Sequence, residues 1–240
     1  MDADQADFPI RFEWGEHGVD VLGSQCDVIV LVDVLSFSTC VDIATSRAAV
    51  VLPYTWNDER AERFAREQNA LLATKDRRAA EGYSLSPQSL AQIPAGARLV
   101  LPSPNGATLS LRAARHAMTI AACLRNSSAV AEFVQQHGQT VAVIACGERW
   151  PDGNLRFAWE DLVGAGAVIS QLSGNRSPEA QLAADAYQQA AGDLQQRLAA
   201  CTSGRELIRR GFAADLEWAA ALNASSSVPL LQDGCYRAAR

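Results

Sequence analysis

The chain's apolar and polar positions fall into repeated short units. Val28 to Val32 is an unbroken apolar run that stops at Asp33. Ser36, Ser38 and Thr39 follow, and apolar residues then recur at Phe37, Cys40, Val41 and Ala44. This pattern predicts a buried strand feeding an amphipathic helix, with a carboxylate and hydroxyls at the turn. Phe8 to Trp14 alternates and reads as an edge strand, and residues 15–23 as a weak helix or loop. Ala49 to Pro53 predicts a short strand. Asn57 is placed to cap a helix running to about Gln68, with Asp58 and Glu59 suiting its first turn. Ala70 to Ala73 predicts another short strand.

The alternation returns after residue 97. Strands are predicted at Arg98 to Leu101, Met118 to Cys123 and Thr140 to Ala145, each followed by a turn and a helix. The last of these helices is entered through a loop over 147–162 and runs to about Leu172. Residues 177–223 read as helical, broken near Gly192 and Ser203-Gly204, and Val228 to Leu231 as a final short strand. Residues 75–97 are the least regular stretch. A loop of that length is functional or mobile, and a surface excursion is favoured over a lid. Repeated strand-helix units with short links imply an α/β fold of three layers: a largely parallel sheet, helices on both faces, and a helical C-terminal segment. The expectation is a single α/β domain over 1–240, with 177–223 packed on it as a mainly helical extension.

Composition narrows the function. At 240 residues and 48% hydrophobic, the chain has material for a substantial core. A net charge of −6 argues against nucleic-acid binding. No segment matches a signal peptide or a membrane span, so a cytoplasmic, soluble protein is expected. None of the six cysteines forms a C-x-x-C pair. The three histidines are scattered and suggest no metal cluster.

In a parallel sheet the strand ends share one edge, where ligands bind. The first strand end carries Asp33, Ser36, Ser38 and Thr39; the next Ser103, Asn105 and Thr108; then come Arg125, Asn126 and Ser127, and finally Glu148 and Arg149. Glu160 and Asp161 open the last helix. Hydroxyls, amides and helix N–H groups bind phosphate or sulfonate oxygens, and arginine clamps them with a planar fork. The carboxylates make sense beside such an anion if a divalent cation lies between; Mg²⁺ uses one or two carboxylates plus substrate oxygens. Singly, each motif also fits turn, capping or surface chemistry. Asp33-Val34-Leu35 lacks the second aspartate of haloacid-dehalogenase phosphatases, and no cysteine has the arginine spacing of a thiol phosphatase. A thiol enzyme using Cys146 is a third, weaker reading, and a structural Cys146 is favoured.

The chain resembles the 2-phosphosulfolactate phosphatase family. VDVLSFST (32–39) is similar to D-V-L-R-A-[ST]-T, PNGAT (104–108) to T-N-G-T, and LRNSSAVA (124–131) to S-x-x-N-A-S-A-V-A. ACGE (145–148) and FAWEDLVGAGAVI (157–169) resemble C-A-G and F-S-L-E-D-x-x-x-A-G-A. SGREL (203–207), GFAADLEWAAALN (211–223) and VPLL (228–231) follow its C-terminal pattern. The resemblance implies an α/β, Mg²⁺-dependent hydrolase of a phosphomonoester on a small acidic molecule. It carries Asp33, Thr39, Asn105, Gly106, Asn126, Glu160 and Asp161 onto matching positions. Three departures bear on the substrate. The arginine after D-V-L is Ser36, the G-N-S-P loop is reduced to Leu85-Ser86-Pro87, and the serine before L-E-D is Ala158. A cation missing from an anion site costs on the order of 1.5–3 kcal/mol.

The expected function is an Mg²⁺-dependent phosphatase for a small anionic phosphomonoester. Asp33 and Arg125 are the expected catalytic residues. Ser38, Thr39, Ser103, Asn105, Gly106, Asn126 and Arg149 are expected to bind substrate. Asp33, Glu160, Asp161 and, more weakly, Glu148 are expected at the metal. Asp33 as nucleophile and metal-activated water both remain open. The alternative is a non-catalytic paralogue that binds a small anion. No nucleic-acid or membrane partner is expected, and a homodimer stays open.

Overall fold

The computed structural model describes residues 4–55, 58–74, 76–77 and 82–239. Its elements run β1 (Ile10–Trp14), α1 (Gly15–Leu22), β2 (Val28–Val32), α2 (Phe37–Ser46), β3 (Val50–Tyr54), α3 (Glu59–Glu67) and β4 (Leu71–Leu72). Then come α4 (Pro87–Leu90), β5 (Arg98–Pro102), α5 (Gly106–Ala113), β6 (Met118–Ala122), α6 (Ser127–His137) and β7 (Val141–Ala145). A small hairpin, β8 (Glu148–Arg149) and β9 (Leu155–Arg156), precedes α7 (Trp159–Ile169). The chain closes with α8 (Pro178–Ala190), α9 (Leu194–Ala200), α10 (Thr202–Arg209), α11 (Ala213–Ala220), β10 (Pro229–Gln232) and β11 (Cys235–Ala238).

The fold is α/β, built on a nine-stranded, mostly parallel sheet of order β1-β7-β2-β6-β10-β11-β3-β5-β4. β2 lies between β7 and β6, parallel to both, so its run Val-Ile-Val-Leu-Val is buried on both faces. The period of two splits that run between two helical layers. Val28, Val30 and Val32 pack in one core with Val130 and Val134 of α6, Val163 of α7 and Ala180 of α8. Ile29 and Leu31 point the other way, onto Val19 and Leu22 of α1 and Leu109 of α5.

The C-terminal end differs from expectation. The single last strand is a hairpin, β10–β11, inserted antiparallel between β6 and β3. Its two-residue turn is Asp233-Gly234, with φ of 50° and 74°. Asp-Gly is favoured where both turn residues need positive φ, so the signal was in the sequence. Three antiparallel pairings therefore separate β1-β7-β2-β6 from β3-β5-β4. The short link from Pro102 to Gly106 still reaches the end of β2, because Gly106 N–H bonds to Asp33.

Smaller differences follow local chemistry. Asn57 lies outside the described residues, and α3 is capped by Asp58, which accepts N–H bonds from Arg60 and Ala61. The C-terminal helices break at Cys201 rather than at Ser203-Gly204, which lies inside α10. Cys201 Sγ accepts the Gly204 N–H, so sulfur serves as the cap. Helices α8 to α11 pack on the α7 face through Ala183, Leu198, Leu207 and Leu216. Among the described residues, no helix is long and apolar enough to cross a membrane.

Candidate active site

The turn after β2 is the centre of the site. Asp33 Oδ1 accepts the N–H of Phe37 at 3.1 Å, and its backbone carbonyl accepts that of Ser38 at 2.8 Å. Asp33 therefore caps α2 itself. Its Oδ2 accepts the N–H of Gly106, the first residue of α5, at 3.0 Å. One buried carboxylate thus joins two helix N-termini, where the partial positive charges of both suit an anion. Ser38 Oγ donates to the Asp33 carbonyl at 2.7 Å and accepts the Asp33 N–H, while Thr39 Oγ1 donates to the Val34 carbonyl at 2.8 Å. Both expected ligand hydroxyls are thereby spent on holding the turn.

Asp161 does the same for neighbouring strands. Its Oδ1 accepts the Val34 N–H at 2.8 Å and its Oδ2 the Gly147 N–H at 2.9 Å. The exits of β2 and β7 are thus tied to the first turn of α7. Asn105 Nδ2 donates to Glu148 Oε2 at 3.0 Å, joining the exit of β5 to β8. These two residues face a cavity of about 390 Å³, rimmed by Arg149, Arg112 and Glu16 and backed by Cys146. Glu160 faces a second cavity of about 380 Å³, shared with Arg156, Arg197 and Cys201. Ser103 is buried at the same strand end, and its N–H bonds to the Tyr54 carbonyl.

The carboxylates act on one another. Burial pushes Asp33 up to about 6, and the charge of Glu160 adds to this, while the N–H bonds from Phe37 and Gly106 and the charge of Arg77 pull it down. Burial, then the charges of Asp33 and Glu160, push Glu148 up to about 7 against Arg156 and the Asn105 bond. Burial, Asp33 and Glu160 hold Asp161 well above the usual carboxylate range. Asp33, Glu148 and Asp161, crowded in low dielectric, resist ionising together.

The arginines are placed differently from expectation. Arg125 is in a buried pair with Asp42, Nε to Oδ2 at 2.9 Å; it also donates to the Trp218 carbonyl and lies over that ring. This is a structural ion pair joining α2 to α11, and it replaces the expected catalytic role at Asp33. Among the described residues the Asn126 side chain bonds only to backbone, accepting from Cys123 N–H and donating to the Ala121 and Ser227 carbonyls, so it shapes a turn. Arg149 does reach the cavity rim, held by Glu16 at 2.5 Å.

Two other guanidiniums serve the site. Arg77 donates to Ser36 Oγ at 3.3 Å and to Asp215 Oδ2 at 2.8 Å. Arg156 acts on Glu148 and donates to Ser203 Oγ at 3.2 Å. Nothing in the spacing of the irregular 75–97 stretch marks Arg77. Asp215 did leave a signal, an acid set among Phe212, Leu216 and Ala219 on the buried face of α11.

Among the described residues, no three His, Cys, Asp or Glu side chains converge on one point. The donor set is nonetheless all oxygen, and its acids push one another's pKa upward. That suits a hard cation taking one or two carboxylates and completing its shell with water and substrate oxygens.

The sequence model of 2-phosphosulpholactate phosphatase matches residues 20–234. A probable 2-phosphosulfolactate phosphatase of Gloeobacter violaceus is 30% identical over 212 residues, 85% of this chain and 87% of that protein. One of Thermotoga maritima is 27% identical over 217 residues, 88% of this chain and 92% of its own. The 2-phosphosulfolactate phosphatase of Methanothermobacter thermautotrophicus is 26% identical over 205 residues, 85% of this chain and 87% of its own. With a match that runs from β2 through β10 and takes in the strand-end turns of the site, the chain belongs to the 2-phosphosulpholactate phosphatase family, named for a phosphoric monoester hydrolase.

Proposed function

We propose that the protein is an Mg²⁺-dependent phosphatase for a small anionic phosphomonoester of the 2-phosphosulfolactate type. The observation that carries this reading is the electrostatic coupling of Asp33, Glu148, Glu160 and Asp161 at the strand ends, with Asn105 bonded to Glu148 and the charges of Arg77 and Arg156 acting on Asp33 and Glu148. Asp33 and Glu160 would hold the metal. Mg²⁺ when bound neutralises charge on phosphoryl oxygens. Asp161 fixes the turn that presents Asp33. Glu148, raised to about 7, matches a general base working near neutral pH, and it lines the first cavity. Both oxygens of Asp33 accept N–H bonds, which lowers their nucleophilicity, so this reading takes water as the attacking group. Asn105 orients Glu148, and Arg149 stands at the mouth to meet a second acidic group.

The test is phosphate release from 2-phosphosulfolactate and a panel of small phosphorylated acids, with Mg²⁺ and with a chelator. Release that needs Mg²⁺ is expected. No release from any ester under either condition overturns the reading. A trapped phosphoaspartate would replace water by Asp33 as nucleophile.

A further inference from the structure

Resting on that phosphatase reading, we propose that Arg77 binds the phosphoryl group of the substrate at the turn after β2, with Asp215 and Ser86 steering its guanidinium. Arg77 comes from the irregular stretch before α4, yet its side chain is only 10% exposed. Among the described residues it is the one guanidinium hydrogen-bonded to the 33–39 turn, through both terminal nitrogens to Ser36 Oγ. Ser36 immediately precedes α2, three residues after Asp33, and the charge of Arg77 acts on the Asp33 carboxylate.

The rim needs this cation. Its carboxylates repel an anionic ester, and Asp33 already occupies N–H donors of both helix termini. A guanidinium offers five N–H donors in a planar fork suited to phosphate. Three bonds go to Ser36 and Asp215 among the described residues. Asp215, itself buried, also accepts Ser86 Oγ at 2.5 Å, so one carboxylate fixes the fork from behind. The ring of Phe212 supports it, 5.7 Å from the guanidinium carbon.

The test is calorimetric binding of inorganic phosphate, in the presence of Mg²⁺, to the full chain and to Arg77→Gln and Arg77→Lys. Thermal unfolding and ester hydrolysis are followed alongside. Arg77→Gln is expected to weaken phosphate binding by about tenfold or more, with Arg77→Lys intermediate because it keeps charge without the fork. Unchanged phosphate affinity in a folded Arg77→Gln overturns the proposal, even if its melting temperature falls. Failure of both variants to fold also overturns it, by making Arg77 a strut. If the wild type hydrolyses no ester but loses phosphate affinity on Arg77→Gln, the phosphatase reading falls and this proposal stands. If the wild type is active and the variant binds phosphate normally, the reverse holds.

Discussion

Asp33 Oδ2 accepts the backbone N–H of Gly106 at 3.0 Å, across 73 residues of chain. With the Phe37 N–H on its other oxygen, Asp33 is both an acid of the site and the joint between α2 and α5. The two roles pull stability in opposite directions. Asp33→Asn loses one N–H acceptor but also removes a buried charge that its surroundings disfavour. Each effect is on the order of 1–3 kcal/mol. The expected result is a melting temperature within a few degrees of wild type and phosphate release lower by about a hundredfold or more. Full activity in Asp33→Asn would refute the assignment of Asp33.

Metal-free stability should fall as pH rises through neutrality. Asp33 and Glu148 have folded values of about 6 and 7, above their ordinary 3.8 and 4.5. The folded state therefore holds protons that the unfolded state has released. Their contribution is complete below the ordinary values and is lost as pH climbs through 6 and 7. Thermal melts at pH 5 and pH 7.5 in chelator should show the drop, and Mg²⁺ should restore stability at pH 7.5. A chelated protein more stable at pH 7.5 than at pH 5 would contradict this.

Gly106→Ala should damage the same joint sterically. An added Cβ would sit inside contact distance of the Phe37 ring and 2.7 Å from Asp33 Oδ2. The Phe37 side chain is buried and cannot swing away. A loss of about 1–3 kcal/mol in denaturant titration is expected, as for overpacking elsewhere, together with reduced activity. An alanine variant of wild-type stability and turnover would show that the joint yields easily.

Arg125 should matter for folding and little for turnover. Arg125→Ala strands Asp42, which is fully buried, and such losses cost about 3–5 kcal/mol. The prediction is a lower urea midpoint with KM unchanged in the folded fraction. A raised KM at normal stability would return Arg125 to the substrate.

Cys146 should be inert. Burial first, then the charges of Asp33, Asp161 and Glu148, push its thiol well above the ordinary value. Cys146→Ala should keep full phosphatase activity, and iodoacetamide should leave the native thiol unlabelled at neutral pH. Loss of turnover in a folded Cys146→Ala would revive a thiol mechanism.

The residues read from the sequence as one set divide in the structure by what their atoms touch. Asp33, Asn105, Gly106, Glu148, Glu160 and Asp161 do come together. Ser38, Thr39, Asn126 and Arg125 are hydrogen-bonded inward, to backbone or to Asp42. Short polar residues at a strand end look alike in sequence whether they bind a ligand or close a turn. The Asp233-Gly234 hairpin was legible as a turn, but its insertion between β6 and β3 was not.

The sequence by itself determined the strand-helix rhythm, the buried β2, the acids at its exit and the family. Those are local properties, written in periodicity and in short motifs. Only the tertiary structure decided which charges meet. Position 36 carries no cation, yet Arg77 lays its guanidinium against Ser36 and is held there by Asp215, 138 residues further along the chain. Such pairings depend on how the sheet and the C-terminal helices pack, because side chains interact through space over a few ångströms, whatever their separation along the chain.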